Sequence, residues 1–524
     1  MRTHLVGEDA VLVELEGEAP PYRVADAIRS RSGVVESVPA ATTVLVVVDP
    51  LVTDAADLAG QAAALVARAG EAGDRSPPGA MVEIPVHYDG PDLDEVCRLT
   101  GLDRAEVVAR HSRSVHRVAF LGFSPGFAYL AGTDPALSVP RRQTPRPSVP
   151  AGSVGLAGGM SCLYPRSTPG GWQLIGTTSA LLFDQRRRPP ALLSAGDSVR
   201  LVPVDSPAPP EVPVPAAPPQ EGRRSLEVLR AGPLTTVQDR GRPGWAHIGV
   251  PPAGAVDQPA LALANRMVGN RADAACLETT LSGPELRFGC RAVVAVAGAT
   301  APVSLDGRPV HATGPLPVRP GSVLRVGTAT AGLRCYIAFD GGIDAPVVLG
   351  SRSADTLSGL GPPALAPGDV VVLADRPPGP GGDRGAPTQA APAPATSPDR
   401  PAVVRVVSGP RHDWLTPAAR AALTTATWVV SPRSDRTGVR LEGPVLERSR
   451  SDELASEGMV TGAVQVPPDG APIVFLANHP TTGGYPVVGV VASVDLGVMA
   501  QLRPGAPVRF EVVDRAAALA ARRR

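Results

Sequence analysis

Three stretches of this chain gather residues that can do chemistry at short spacing. The first is Val139-Pro140-Arg141-Arg142-Gln143-Thr144-Pro145-Arg146-Pro147-Ser148-Val149-Pro150. Its prolines hold the backbone extended and present successive guanidinium groups at fixed angles. A guanidinium fork matches a carboxylate or a phosphate, which makes Arg142 and Arg146 candidates for an anionic substrate. A solvated strand edge stiffened by proline is the competing reading. The second stretch is Thr235-Thr236-Val237-Gln238-Asp239-Arg240-Gly241-Arg242, followed by Gly249 to Asp257 and by Asn265. An acid, an amide and two cations surround a glycine in a loop that ends at a helix N-terminus. Orphan N–H groups point outward there and suit an anionic ligand; a turn stapled by an internal Asp–Arg pair explains the same residues. The third joins Met459 to Pro467 with Thr481-Thr482-Gly483-Gly484-Tyr485-Pro486. Gln465, flanked by aliphatic residues on a strand, is either a hydrogen-bonded core amide or a pocket wall.

Other patterns carry less. Gly122-Phe123-Ser124-Pro125-Gly126 has the spacing of a nucleophile elbow, but Pro125 lacks the N–H that the elbow's oxyanion hole needs. It reads as a Pro-Gly turn between core strands. Gly379 to Gly385 is linker without a strand–helix context. His479, before Pro480, reads as a capping residue, and no histidine pair at helical spacing predicts a transition-metal site. All fifty basic residues are arginine. Without lysine the chain has no Walker-A lysine, no Schiff base, no Ser–Lys dyad and no biotinylated lysine. Any phosphate must be met by arginine, backbone N–H groups or a metal.

The elements that position these residues are mostly β. Glycine (56) and proline (60) exceed a fifth of 524 residues, which favours turn-rich sheets over long helices. Formal charge is zero with no basic face, so no nucleic acid is expected. No apolar run has the ~18–20 residues needed to span a bilayer, so no membrane association is expected. Five scattered cysteines fit reduced thiols in a cytoplasmic protein. An internal echo dominates the organisation. Gly152-Ser153-Val154, Pro169-Gly170-Gly171-Trp172 and Ala195-Gly196-Asp197 return as Gly462-Ala463-Val464, Thr482-Gly483-Gly484-Tyr485 and Pro504-Gly505-Ala506. This is one module used twice.

The fold class expected is α+β, mostly β. Residues 1–80 alternate strand and helix: a strand at 11–15, a helix at 22–31, strands at 33–38 and 43–48, and a helix at 55–69. A fourth strand near 82–86 completes the split βαβ order of a ferredoxin-like domain. A β-barrel follows over 81–205, then a Pro/Ala linker at 206–224, a second barrel at 225–375, a Pro/Gly/Ala-rich loop at 376–402 and a third barrel at 403–515. Asp92, Asp103, Asp257 and Thr416 are predicted to open helices. Turns at Gly196, Gly321, Gly368 and Gly505 are each predicted to feed a strand.

The chain also resembles a known family. Phe120-Leu121-Gly122-Phe123-Ser124-Pro125-Gly126-Phe127-Ala128-Tyr129-Leu130, with Pro169-Gly170-Gly171-Trp172, resembles the B subunit of bacterial ATP-hydrolysing 5-oxoprolinase, the Kip-inhibitor family. Thr235 to Gly241, Leu277-Glu278-Thr279-Thr280, Leu349-Gly350-Ser351-Arg352-Ser353 and Thr482 to Pro486 resemble the C subunit, the Kip-antagonist family. Both halves resemble the carboxyltransferase region of urea carboxylase and urea amidolyase. The resemblance implies cyclophilin-like barrels after the ferredoxin-like domain. It also implies that 5-oxoproline is opened to glutamate with ATP (and Mg) cleavage, alongside a separate A subunit. Such a site needs cations, for which Arg142, Arg146, Arg240 and Arg436 are candidates. Asp239, Asp257 and Glu278 are candidate acid–base or magnesium-binding groups, and Gln465 and Tyr485 candidates to orient substrate. Two other functions fit the family: a biotin-dependent carboxyltransferase acting on urea or a related amide, its biotin on another chain, or a histidine-kinase regulator.

Overall fold

The computed structural model describes residues 1–71, 80–206, 222–311, 314–375, 400–450 and 452–522. Most of the 206–224 and 376–402 segments, including Gly379 to Gly385, therefore lies outside the described residues.

The N-terminal unit is a hairpin (Arg2–Val6, Ala10–Glu14), a helix (Pro21–Arg29), two strands (Val34–Pro39, Thr43–Val48) and a second helix (Ala55–Glu71). Its four strands form one antiparallel sheet with Arg2–Val6 and Val34–Pro39 at the edges. Successive side chains alternate between faces. Val11, Val13, Val44 and Val46 meet Val24, Ile28, Leu58 and Leu65 of the helices. Leu12, Val38 and Leu45 face the other way, into a core shared with Met459, Phe475, Val487 and Val490. Burial on both faces explains the unbroken aliphatic run Val44-Leu45-Val46-Val47-Val48. One expectation is corrected here. Met81–Val86 does not join this sheet; it runs parallel to Ser198–Pro203 in the barrel that follows. The hairpin across Gly7 supplies a nearer partner, and Ile84 and Val86 are wholly buried in the barrel core.

That first barrel orders its strands Gln173–Thr177, Ser153–Ala157, Met160–Leu163, Ala128–Ala131, Val115–Leu121, Ser198–Pro203 and Met81–Val86. Two hydrogen bonds between His87 and Thr177, both 2.8 Å, join its first and last strands. The last barrel is closed and follows the same circuit: Val487–Val491, Ala463–Gln465, Ile473–Phe475, Gly438–Glu442, Trp428–Val430, Pro507–Val512 and Ala402–Ser408. In both, the first strand in sequence runs parallel to the last. The duplicated module therefore takes in seven strands per copy, more than the echo visible in the sequence. Each copy carries a two-stranded flap, Arg146–Val149 with Thr168–Gly170 and Glu457–Gly458 with Thr482–Gly483. The two Gly-Gly-aromatic turns occupy equivalent places beside them.

The unit between the barrels is a pair of facing sheets of six and five strands, not a single closed ring. The long strands Ala292–Thr300 and Ala331–Phe339 pair with each other in the five-stranded sheet. Val237, Leu277, Val294 and Ile337 meet Leu226, Val228, Leu286 and Leu324 of the other sheet in one core. Gly196, Gly321, Gly368 and Gly505 all hold positive φ and each leads into a strand two residues later. Asp103, Asp257 and Thr416 cap helices through their side chains. Asp92 stands at a cap position but caps nothing. All five cysteines are free thiols. Among the described residues no helix is long and apolar enough to cross a membrane.

Candidate functional site

Asp92 spends its carboxylate on the arginine-rich stretch. Its Oδ1 accepts from Arg142 Nη1 (2.8 Å) and Arg146 Nη2 (2.7 Å), and its Oδ2 from the Leu174 amide (2.7 Å). The side chain is 5% exposed. Burial opposes its charge, but the Arg146 hydrogen bond, the Leu174 amide and the two guanidinium charges outweigh that and hold the carboxyl below its ordinary range. The Arg142 amide donates to Gly171 O (2.8 Å), and Arg146 lies opposite Gly170, so the stretch is laid along the Pro169-Gly170-Gly171-Trp172 turn. Arg141 stacks over the Trp172 ring at 5.6 Å. Arg142 Nε and Arg146 Nη1 are buried without a partner. Two guanidinium groups share one carboxylate here, and the N–H groups of two nitrogens, Arg142 Nε and Arg146 Nη1, remain for an oxyanion.

The first barrel meets the last through Tyr129 and the Gly122–Phe123 turn. Trp172 meets the edge of Tyr129 at 5.9 Å, and Tyr129 stacks on Phe120 at 4.2 Å. The Tyr129 phenol, pushed up to about 12 by burial, reaches the Ser456 and Thr482 side chains of the last barrel. Thr482 Oγ1 also accepts the Phe123 amide at 2.9 Å. Phe123 holds φ +62°, which costs a bulky L-residue roughly 1–2 kcal/mol. Gly122 leaves the room that this approach needs, since a Cβ there would lie 2.3 Å from Thr482 Oγ1. Beyond Thr482, Gln465 Nε2 donates to Tyr485 O (2.8 Å), and the half-exposed Tyr485 ring carries the Arg448 guanidinium at 5.7 Å. The Gly122–Phe123 turn and Tyr129 of the first barrel thus meet Ser456 and Thr482 of the last along a seam, with Trp172 behind Tyr129 and Gln465 beside Thr482.

The remaining candidates sit deeper or apart. Glu278, wholly buried, accepts from Tyr336 Oη (2.8 Å), the Val256 amide (3.0 Å) and Arg436 Nη1, with Arg334 Nε at 3.8 Å. Burial opposes its charge, but Arg436 and Arg334 hold the carboxyl low. Asp257 joins the cluster because its amide donates to Tyr336 Oη (2.8 Å). Its carboxylate caps Ala260 and accepts from Gln501 Nε2 (2.8 Å). Arg436 continues to Asn478 (3.0 Å), and Asn478 to Asp355. This network fastens the last barrel to the two-sheet unit. Asp239 accepts from Ser351 Oγ, the Arg352 amide, Ser353 Oγ and the Gly241 amide, pinning the Gly350–Ser353 loop. Arg240 is exposed and donates no hydrogen bond among the described residues. Those residues hold no group of three His, Cys, Asp or Glu side chains suited to a metal ion. The candidates therefore fall into an Asp92–Arg142–Arg146 cluster, a Gln465–Tyr485 wall, a Glu278–Arg436–Asp257 cluster and an Asp239 loop. Thr482 is read from the sequence as a pocket-lining hydroxyl, but Asp92 and Tyr129 are not placed at the site. A carboxylate at a helix start looks like a cap, and a buried tyrosine looks like core.

Both halves of this seam match known proteins. A family model of carboxyltransferase subdomains C and D matches residues 1–193, and one of subdomains A and B matches residues 248–512. The C subunit of 5-oxoprolinase from Escherichia coli K12 is 36% identical over 297 residues, 57% of this chain and 94% of that protein. The B subunit of 5-oxoprolinase from Escherichia coli O157:H7 is 42% identical over 215 residues, 38% of this chain and 95% of that protein. The urea amidolyase of Lachancea kluyveri is 34% identical over 313 residues, 55% of this chain but only 17% of that much longer protein. The crystal structure of TTHA0988 superimposes with a TM-score of 0.83 at 34% identity, covering 96% of this chain and 99% of that one.

Proposed function

The chain belongs to the carboxyltransferase-domain family of 5-oxoprolinase B and C subunits, and from that premise we propose that it is the fused B and C component of an ATP-dependent 5-oxoprolinase. Acting with a separate A subunit, it hydrolyses the lactam of 5-oxo-L-proline to L-glutamate. One observation carries this reading: a single chain matches both the B and the C subunits, and its two halves build one seam through Phe123, Tyr129 and Thr482.

The lactam is resonance-stabilised and resists water. ATP, when bound, would supply a phosphoryl group to the amide oxygen and expose the ring carbon to water, so that the C–N bond breaks and a second water releases phosphate and leaves glutamate. The free N–H donors of Arg142 and Arg146 fit an oxyanion, whether substrate carboxylate or phosphoryl oxygen. Asp92 stays ionised and keeps both guanidinium groups aimed. Gln465 and Tyr485 orient substrate along the opposite wall. Tyr129 keeps its proton at neutral pH and positions Thr482 as a hydrogen-bond partner, so it is not the base. Asp239, Asp257, Glu278 and Arg436 support the site by holding the loops that frame it, and Arg240 is left on the surface to meet the A subunit. Nucleotide binding is assigned to the interface with the A subunit. The test is ATP-dependent glutamate release by the purified chain with and without the A subunit. Release should need the partner, and Arg146→Ala or Arg142→Ala should lower turnover at least tenfold in a folded protein.

A second reading has its own support, because both family models are of carboxyltransferase subdomains. The seam would then move a carboxyl group from biotin carried by another chain to urea or a related amide. Carboxylation of urea by the chain with a biotinylated carrier, and no glutamate release with the A subunit, would establish it.

A further inference from the structure

The second chemistry-bearing stretch ends in an arginine that the proposed reaction does not use. At Gly241 the chain turns with φ +90°, a Cβ there would lie 2.4 Å from Pro252 O, and the Arg242 amide donates to that same oxygen at 2.7 Å. This turn drives the Arg242 side chain inward, where it is 1% exposed. A guanidinium has five N–H donors. Arg242 uses Nη2 on Ser353 O, while its Nε and Nη1 are buried without a partner. Leaving charged donors unmatched in an interior is costly.

A second guanidinium stands nearby on the other half of the chain. Arg166, from the first barrel, is half-buried; its Nε is buried without a partner, and it donates no hydrogen bond among the described residues. Its Nη1 and Nη2 lie over Gly359, where a Cβ would come within 2.9 and 2.8 Å. Asp355 acts electrostatically on both arginines. Yet this 2% exposed carboxylate accepts its hydrogen bonds from others: the Leu357 and Ser358 amides (2.9 and 3.1 Å), Ser358 Oγ and Asn478 Nδ2. Asp239, the other acid that attracts Arg242, is likewise engaged by Ser351, Ser353, Arg352 and Gly241. As at Asp92, one buried carboxylate stands with two guanidinium groups that keep unused N–H donors, but here the carboxylate hydrogen-bonds neither arginine.

We propose that Arg242 and Arg166, one from each half, form a second oxyanion pocket that takes the carboxylate or phosphoryl group of a small molecule. Arg166 forms the mouth and Arg242 the floor. Asp355 keeps the two like charges together, and Asn478 ties it to the Arg436–Glu278 network behind. The pocket depends on the 5-oxoprolinase reading only for the choice of acid used as probe.

Calorimetric titration of the full chain tests it, with 5-oxoproline and inorganic phosphate as separate titrants. Arg166→Gln and Arg242→Gln should each weaken binding of the same titrant at least tenfold, and that titrant identifies carboxylate or phosphate as the ligand. Arg166→Gln breaks no protein hydrogen bond among the described residues, so its melting temperature should match the wild type even if Arg242→Gln unfolds the chain. Wild-type affinity for both titrants in Arg166→Gln, or no binding of either by the wild type, overturns the pocket. Absence of turnover in the presence of the A subunit, with Arg166-dependent binding intact, would sink the activity and leave the pocket standing.

Discussion

Asp92 is the residue on which the proposed binding chemistry turns. Its carboxyl lies below the ordinary value of about 3.9. As pH falls through that range the unfolded chain takes up a proton that the folded chain still refuses, so acid favours unfolding. The stabilisation is complete above about pH 4 and fades below it. Asp92→Asn should cost about 1–3 kcal/mol at pH 7, flatten the acid limb of a pH-dependent melt, and weaken binding by Arg142 and Arg146. An unchanged acid limb would show that Asp92 is not the ionised partner. The arginines were legible in the sequence because proline spacing presents them. Their partner was not, because a carboxylate before a helix has the same signature whether it caps that helix or reaches across fifty residues. Glu278 stood out within a motif, but nothing local announced Arg334 and Tyr336 as its neighbours.

At the scale of elements, the seam depends on Gly122 and Thr482 fitting together. Thr482→Val removes the acceptor for the Phe123 amide and should cost about 1–2 kcal/mol; Thr482→Ser keeps the oxygen and should restore both stability and turnover. Gly122→Ala should be worse, because its Cβ meets Thr482 in place. A second junction is pH-sensitive. Glu36, on an edge strand of the N-terminal sheet, accepts the Gly244 and Ala246 amides (2.5 and 3.1 Å). Burial raises its carboxyl to about 7 despite those bonds. The folded chain therefore holds a proton that the unfolded chain has released, and this contribution to stability is lost as pH rises through about 7. Melting temperature should drop as pH rises from below that value to above it, and Glu36→Gln should flatten that drop. The sequence showed the duplicated module, the four glycine turns and three capped helices, since each rests on local signals. It did not show which sheet Met81–Val86 joins, because an alternating strand names its buried face and not its neighbour.

On the scale of the whole molecule the chain clasps itself. Arg411 of the last barrel bonds Glu14 of the N-terminal sheet and Glu457 of its own flap. Glu8 accepts from the Ser493 amide and Oγ (3.0 and 2.7 Å), and Arg515 reaches Asp54 at 2.7 Å. With the shared core of Leu12, Leu45, Phe475 and Val490, these contacts join the halves independently of the 206–224 segment. Separately produced residues 1–206 and 222–524 should therefore co-elute as one complex, and separate elution would show that the covalent join is required. The most direct test follows from that experiment. ATP-dependent glutamate release from 5-oxoproline should be absent when only one fragment is mixed with the A subunit, and should return when all three are combined. Full turnover from one fragment with the A subunit would contradict a site built from both halves.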